Sequence, residues 1–314
     1  MMTTRQIASE LRSFELHGVT FWDFESITED GEKWNFLIDT MTARYKNEAI
    51  DYVVCLDARG FLLGGAIASA LGRNVGLKLI RKKGKLPGPV HSVEYGLEYR
   101  DKDVVEIQNS TVLSGKRVLL IDDVLATGGT AEAGVKLVEM VGGKVVGVAF
   151  AIELPELEGR SKLLNFVVSS EISIINGVPM SDVGYCVDVV ATDDKTGEII
   201  LIERFSEPTG HAIPGGHIDP GESALQAGLR ELREETGFFA TNATYYKTLT
   251  DIARDPRGPK ISLVLTTSVV GGQPKNEAGK TRVFRVKKSL LGLPEVESFA
   301  FEHGEVIHEF VTNM

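Results

Sequence analysis

Cysteine is nearly absent: the 314 residues hold two, Cys55 and Cys186. That excludes a disulfide-stapled fold, and both lie in apolar, strand-like runs, which predicts buried, reduced thiols. No apolar run approaches the roughly 20 residues needed to cross a bilayer. The opening "MMTTRQIASELRSF" lacks the apolar core of a secretory leader, so a cytoplasmic protein is expected. Positive charge is in deficit, with 34 Lys+Arg against 44 Asp+Glu and a net charge of -10. Phosphate backbones demand clustered cations. No nucleic-acid and no membrane partner is therefore expected, whereas small phosphorylated ligands, which need only local positive charge, stay open. At 43% hydrophobic and 25% charged the composition is that of a globular protein, long enough for two domains of about 150 residues each.

The first half alternates strand and helix. "DYVVCLDARG" is an apolar run ending in acid and glycine, and "FLLGGAIASALG" reads as the helix after it. "KRVLLIDDVLATGGTAEAGVKLVEMVGG" repeats the plan with a buried strand at 118–121, an acidic tip, a Gly-rich loop and a helix near 131–141. "KVVGVAFAIEL" is the next strand. Near-continuous apolar strands alternating with helices predict a parallel α/β sheet covered on both faces, with polar chemistry at the carboxyl ends of its strands. Composition shifts near 164–182, where Asn176-Gly177 and Pro179 signal turns, so domains are expected at 1–175 and 180–314. The second half opens with "YCVDVVATDDKTGEIILIERF", two strands around a turn. A helix follows near 223–236, then strands in "ISLVLTTSVVGG" and "KTRVFRVK", and a last helix near 301–310.

The helix at 223–236 poses a physical problem. Leu225, Leu229 and Leu232 recur at helical spacing and are expected to face the core. Glu231, Glu234 and Glu235 then share the neighbouring face, where like charges repel, at the end of the helix whose dipole disfavours anions. A solvated acidic face with an Arg230–Glu234 pair is one reading. A bound divalent cation, which reverses both penalties, is the other.

The wider frame is "GGHIDPGESALQAGLRELREETGFF". From Gly216 it reads Gly, five residues, Glu222, seven residues, Arg230-Glu231-Leu232, one residue, Glu234-Glu235, one residue, Gly237-Phe238. This resembles the Nudix box, and the resemblance extends over about 182–314. It implies an α/β/α sandwich that hydrolyses nucleoside diphosphate derivatives, with Glu231, Glu234 and Glu235 ligating Mg²⁺ or Mn²⁺. Gly215 and Gly216 would let the backbone approach the site, Arg230 would brace helix and loop through Glu222, and Glu277 is the candidate general base. "DIARDPRGPKISLVL" and "FAFEHGEVI" resemble ADP-ribose pyrophosphatase-like members, in which Arg254 and Arg257 would meet the diphosphate or terminal ribose. ADP-ribose, cleaved to AMP and ribose 5-phosphate, is the expected substrate. Oxidised nucleoside triphosphates are the alternative, with the first domain acting as a ligand sensor.

In the first half, "VLLIDDVLATGGT" places Asp122 and Asp123 beside a Gly-rich loop that opens a helix. Backbone amides there can cradle a phosphate while the carboxylates accept hydrogen bonds from ribose hydroxyls. The stretch resembles the phosphoribosyl pyrophosphate (PRPP) motif of type I phosphoribosyltransferases. "DARGFLLGGAIASALG", "LIRKKGKLPG", "EYGLEYRDKDVVEIQ" and "AIELPELEGRSKL" resemble the adenine-specific members, over about 14–165. The resemblance implies pyrophosphate binding by the loop containing Asp57, Arg59 and Gly60, with Arg81, Lys82 and Lys85 adding charge. Asp122 and Asp123 would hold the ribose, and Ala126, Thr127, Gly128, Gly129 and Thr130 the 5-phosphate. Residues 91–103 would form a flap carrying Glu98, for proton transfer at the base, and Tyr99. Two positions depart from the pattern: Trp22 stands where the family has arginine in the hood over the base, and Arg100 replaces a flap glycine. A tryptophan stacks on a purine, so purine binding is expected to persist. The family pairs its transferase domains, so a homodimer is expected.

Overall fold

The computed structural model describes residues 2–16, 19–96, 102–253, 255–276, 279–287 and 298–313. The chain divides into two units, Met1–Asp182 and Val183–Met314.

The first unit opens with α1 (Thr4–Ser9), the hairpin β1 (Arg12–Leu16) and β2 (Val19–Asp23), then α2 (Glu25–Thr28) and α3 (Gly31–Ala43). There follow β3 (Tyr52–Leu56), α4 (Gly60–Leu71), β4 (Gly76–Lys82), β5 (Val90–Tyr95) and β6 (Asp103–Gln108). The unit closes with β7 (Arg117–Leu125), α5 (Gly129–Met140), β8 (Lys144–Glu153), β9 (Val168–Ile175) and β10 (Val178–Met180). Its main sheet has the order β10-β9-β8-β7-β3-β4-β6-β5. The five central strands β9, β8, β7, β3 and β4 are parallel, and the outer ones are antiparallel. Alternate residues of these strands enter different cores. Val53, Leu119, Ile121 and Ala149 join one cluster with Leu37, Leu63 and Ile67 of α3 and α4. Val54, Leu120, Val148 and Phe150 join another with Leu137 and Val138 of α5. Burial on both faces is why these strands read as unbroken apolar runs. Cys55 and Cys186 are buried free thiols, and burial pushes the Cys55 thiol up to about 12.

Two elements differ from the sequence reading. The strand expected at 118–121 continues to Leu125, because pairing with β8 persists from Asp122 with Phe150 to Leu125 with Glu153. The two aspartates therefore lie within a strand rather than beyond its tip. Asn176 and Gly177 do form a turn, with φ of 50° and 71°, as a two-residue hairpin of this handedness requires. It joins β9 to β10 on the edge of the first sheet, and the chain divides only after Asp182.

The second unit begins with β11 (Gly184–Asp193), β12 (Glu198–Arg204), β13 (Gly210–Ala212), β14 (Gly215–His217) and α6 (Ala224–Thr236). It continues through β15 (Phe238–Phe239), β16 (Thr244–Leu249), β17 (Lys260–Ser268), β18 (Gly271–Gly272) and β19 (Thr281–Lys287) to α7 (His303–Thr312). The sheet order is β13-β12-β11-β17-β16, with β14 on β11 and β19 on β12. α6 starts at a reciprocal Ser223–Gln226 cap and stops at Gly237, whose φ is 75°. Its buried residues are Ala224, Ala227, Gly228, Leu232 and Thr236, whereas Leu225 and Leu229 are only partly buried. The expected Leu225–Leu229–Leu232 face is thus rotated. A Cβ on Gly228 would lie 2.9 Å from Leu265 and 3.2 Å from both Val187 and Val189. The helix packs on its smallest residues to approach the sheet closely, and the larger leucines fall at the margin.

Candidate active sites

A cavity of about 440 Å³ in the first unit is lined by Trp22, Arg59, Lys82, Asp122, Ala126, Thr127, Gly128, Gly129 and Thr130. The fold assembles it from the β1–β2 hairpin, the end of β7 and the start of α5. Gly128, with φ 74°, precedes α5, and no side chain caps that helix start. The first amides of α5 therefore have no intrahelical partner and point where a phosphate can accept them. Asp122 and Asp123 are both buried. Burial raises the Asp122 carboxyl well above the ordinary range, and Asp123 beside it raises it further. Arg59 Nη2 lies 2.8 Å from Asp123 Oδ2, although the angle is outside hydrogen-bond geometry and that oxygen has no other partner. A Cβ on Gly60 would sit 2.9 Å from Asp122 Oδ1, so only glycine lets α4 start this close to the carboxylate.

Not every expected residue reaches that cavity. Asp57 Oδ2 instead takes Arg81 Nε at 3.3 Å and the Lys82 amide at 3.4 Å. Lys82 does line the cavity, with its Nζ paired to Asp103 at 3.2 Å. The side chain of Lys85 is exposed, and its carbonyl accepts from Arg81 Nη1 at 3.3 Å. Glu98, Tyr99 and Arg100 lie outside the described residues, as do Arg254 and Glu277 of the second unit.

In the second unit Arg230 organises the acidic helix. Its Nε and Nη2 each donate to Glu222 at 2.9 Å, and Nη2 also reaches the His217 carbonyl at 3.0 Å. Nη1 donates to Glu231 at 2.7 Å and to Glu234 at 3.2 Å. The expected brace through Glu222 is present, and so is the Arg230–Glu234 pair. Glu235 Oε2 accepts from the Gly215 amide at 2.9 Å. Burial pushes the Glu235 carboxyl up to about 7 and also raises that of Glu231, against the pull of Arg230. A Cβ on Gly216 would meet Glu231 Oε1 at 2.2 Å, which explains the glycine.

Glu231, Glu234 and Glu235 line one cavity of about 490 Å³ with Lys275, Asn276 and Lys280. Among the described residues no three acidic, His or Cys side chains are already gathered as a metal cage. Glu234, 61% exposed, is drawn instead to Arg230. The donor set nonetheless fits a hard divalent cation. It consists of carboxylate oxygens, and burial raises two of these carboxyls, Glu231 and Glu235, above the ordinary range.

A second cavity of about 80 Å³ adjoins Gly215 and Gly216 and is lined by Asp188, Arg204, His217, Asp255, Arg257, Phe301 and His303 among others. Arg257 binds Asp255 through three hydrogen bonds, from its amide and Nε at 2.9 Å each and from Nη2 at 2.8 Å. Its guanidinium and that of Arg204 each lie 5.6 Å from the Phe301 ring centre. Of the residues lining this cavity, Gly215, Gly216 and Arg257 are legible in the sequence as site residues. Asp188, a carboxylate inside the apolar run "YCVDVV", was the available signal. His303 and Phe301 join the site only through the fold.

The comparisons with known proteins divide at the same place as the structure. A phosphoribosyl transferase domain matches residues 30–182 and a NUDIX domain matches 184–310. Adenine phosphoribosyltransferase of Cereibacter sphaeroides is 46% identical over 165 residues, covering 52% of this chain and 91% of that protein. The Paracoccus denitrificans enzyme is 48% identical over 161 residues, covering 51% and 84%. The crystal structure of adenine phosphoribosyltransferase from Thermoanaerobacter pseudethanolicus superposes with a TM-score of 0.51 at 38% identity, covering 54% of this chain and 98% of that one. The chain therefore belongs to the phosphoribosyltransferase family through its first unit and carries a Nudix domain as its second, a phosphoribosyltransferase and a Nudix pyrophosphohydrolase in one polypeptide.

Proposed function

We propose that the first unit transfers phosphoribose from PRPP to adenine, giving AMP and pyrophosphate, and that the second hydrolyses ADP-ribose to AMP and ribose 5-phosphate. The observation that carries the transferase half is the single cavity gathering Trp22, Arg59, Asp122 and the uncapped start of α5. The amides at 127–130 hold the 5-phosphate and the Asp122–Asp123 pair accepts the ribose hydroxyls. Arg59 and Lys82 face the pyrophosphate, with Arg81 behind them. Trp22 stacks on the base. A ring nitrogen of adenine forms the new bond to ribose C1 as the bond to pyrophosphate breaks, and that nitrogen's proton is taken up by Glu98. Closure of the flap excludes water that would otherwise capture the ribose.

In the second unit, Glu231, Glu234 and Glu235 hold Mg²⁺ or Mn²⁺. Bound there, the ion neutralises the diphosphate and lowers the pKa of a water. Arg230 keeps Glu231 and Glu222 in register, and the Gly215 amide fixes Glu235. Arg204, Arg254 and Arg257 face the substrate's anionic groups, and Glu277 is the base. The two reactions share AMP as a product. A homodimer through the first unit completes the proposal, to be checked by light scattering.

The test is AMP release from ADP-ribose with Mg²⁺ and, separately, from adenine with PRPP, with oxidised nucleoside triphosphates as competing substrates. Asp122→Asn with Asp123→Asn abolishes transfer and spares hydrolysis. If that double variant instead changes the regulation of hydrolysis by PRPP, the first unit is a sensor. No AMP in either assay refutes both halves.

A further inference from the structure

His303 is 3% exposed, ionisable, and unused by the chemistry above. The chain takes care to place it. Residues 298–300 are stitched to β13, with the His211 amide donating to the Ser298 carbonyl at 2.7 Å and the Ala300 amide to the His211 carbonyl at 2.8 Å. Phe301 then adopts φ 57°, a left-handed conformation that bulky residues rarely accept. This reversal delivers His303, the first residue of α7, against the turn between β13 and β14.

The Ile213 amide donates to His303 Nδ1 at 3.2 Å. That bond makes Nδ1 the acceptor and assigns the proton of the neutral ring to Nε2. Nε2 lies 3.6 Å from Asp188 Oδ2, the same oxygen that accepts from Ser262 Oγ. The other Asp188 oxygen stands where a Gly215 Cβ would be, at 2.3 Å. Between the two contacts runs the turn 213–215. Its Pro214 carbonyl accepts from the Val189 amide at 2.8 Å, and its Gly215 amide holds Glu235.

We propose that His303 is a positioning residue for the hydrolase: by holding the Ile213 amide on one ring nitrogen while the other faces Asp188, it sets the Gly215 amide that orients Glu235. The inference rests on the hydrolase reading above. It differs from a packing role because it predicts loss of metal affinity and turnover without matching loss of substrate affinity.

The test uses the full chain as His303→Ala, His303→Asn and Val306→Ala. Val306 is buried in the same helix, but its side chain has no group that can hydrogen-bond the turn. Mn²⁺ alone is titrated against metal-free protein by electron paramagnetic resonance, counting only the binding that Glu235→Gln abolishes. His303→Ala weakens that binding and lowers kcat for ADP-ribose by about 10–100-fold each, the range for residues that orient metal ligands, and KM stays nearly constant. Asparagine, which offers an acceptor to Ile213 and a donor toward Asp188, restores most of both. Val306→Ala lowers the Tm and leaves both near wild type. The proposal is overturned if His303→Ala keeps wild-type Mn²⁺ affinity, if Val306→Ala loses as much as His303→Ala, or if asparagine does no better than alanine. Should the wild-type chain hydrolyse nothing, the hydrolase reading fails while the Mn²⁺ titration still decides the role of His303.

Discussion

Replacing Glu235 with glutamine removes a charge that the metal-free fold holds poorly. Burial is the main cause of its raised carboxyl, and Glu231 and Asp188 add to it; the Gly215 amide and Arg204 pull the other way. The carboxyl titrates at about 7 in the folded chain against an ordinary 4.5. Between those values the native state keeps a proton that the unfolded chain has released, so stability is complete below pH 4.5 and is lost as the pH rises through 7. At 1.36 kcal/mol per tenfold difference in proton affinity, the loss is about 3 kcal/mol. In chelator, Glu235→Gln should therefore exceed wild type by about 3 kcal/mol at pH 8 and match it near pH 4.5. Urea unfolding of the full chain measures this on the transition that Mn²⁺ shifts in wild type. Adding Mn²⁺ at pH 8 should narrow or reverse the gap, because only the carboxylate gains a ligand. The variant loses hydrolysis and keeps transfer. A gap of equal size at pH 4.5 and pH 8 would refute the reasoning.

Gly60→Ala places a Cβ 2.9 Å from Asp122 Oδ1 and 3.1 Å from the Ile121 carbonyl. Displacing the carboxylate proposed to hold the ribose should cut transferase kcat/KM by about 100-fold, with hydrolysis unchanged in the same preparation. Gly128→Ala combines φ 74° with a Cβ 2.4 Å from the Gly159 carbonyl; calorimetry should show the first unit destabilised by about 2 kcal/mol or more, and PRPP should no longer protect it from unfolding. Arg230→Met strips Glu222 and Glu231 of their shared partner. Thermal melting should show a loss of about 2 kcal/mol, and hydrolysis should fall with kcat rather than KM.

Local signals carried much of the fold. The loop at 126–130 was legible because glycine and threonine beside two aspartates define it within a dozen residues. α6 was legible from its repeating leucines. Its orientation was not, because Gly228 decides it through contact with Val187 and Leu265 on strands far along the chain. β7 was underestimated for a related reason: pairing with β8 overrides the reluctance of Asp122 and Asp123 to lie in a strand. The crowded carboxylates Glu231, Glu234 and Glu235 stood out by the repulsion they create. His303 did not, since its partners Ile213 and Asp188 come from β11 and from a turn 90 residues upstream.

The hydrophobic clusters of the first unit draw on residues up to Ile174, and the main cluster of the second starts at Val190. Inheritance can therefore act on the halves one at a time: a lesion that silences one catalyst leaves the other standing on its own foundation. Expression cannot separate them in that way. Each round of translation delivers both catalysts in equal number, so their relative fluxes are left to the supply of small molecules at each pocket rather than to any adjustment of gene dosage.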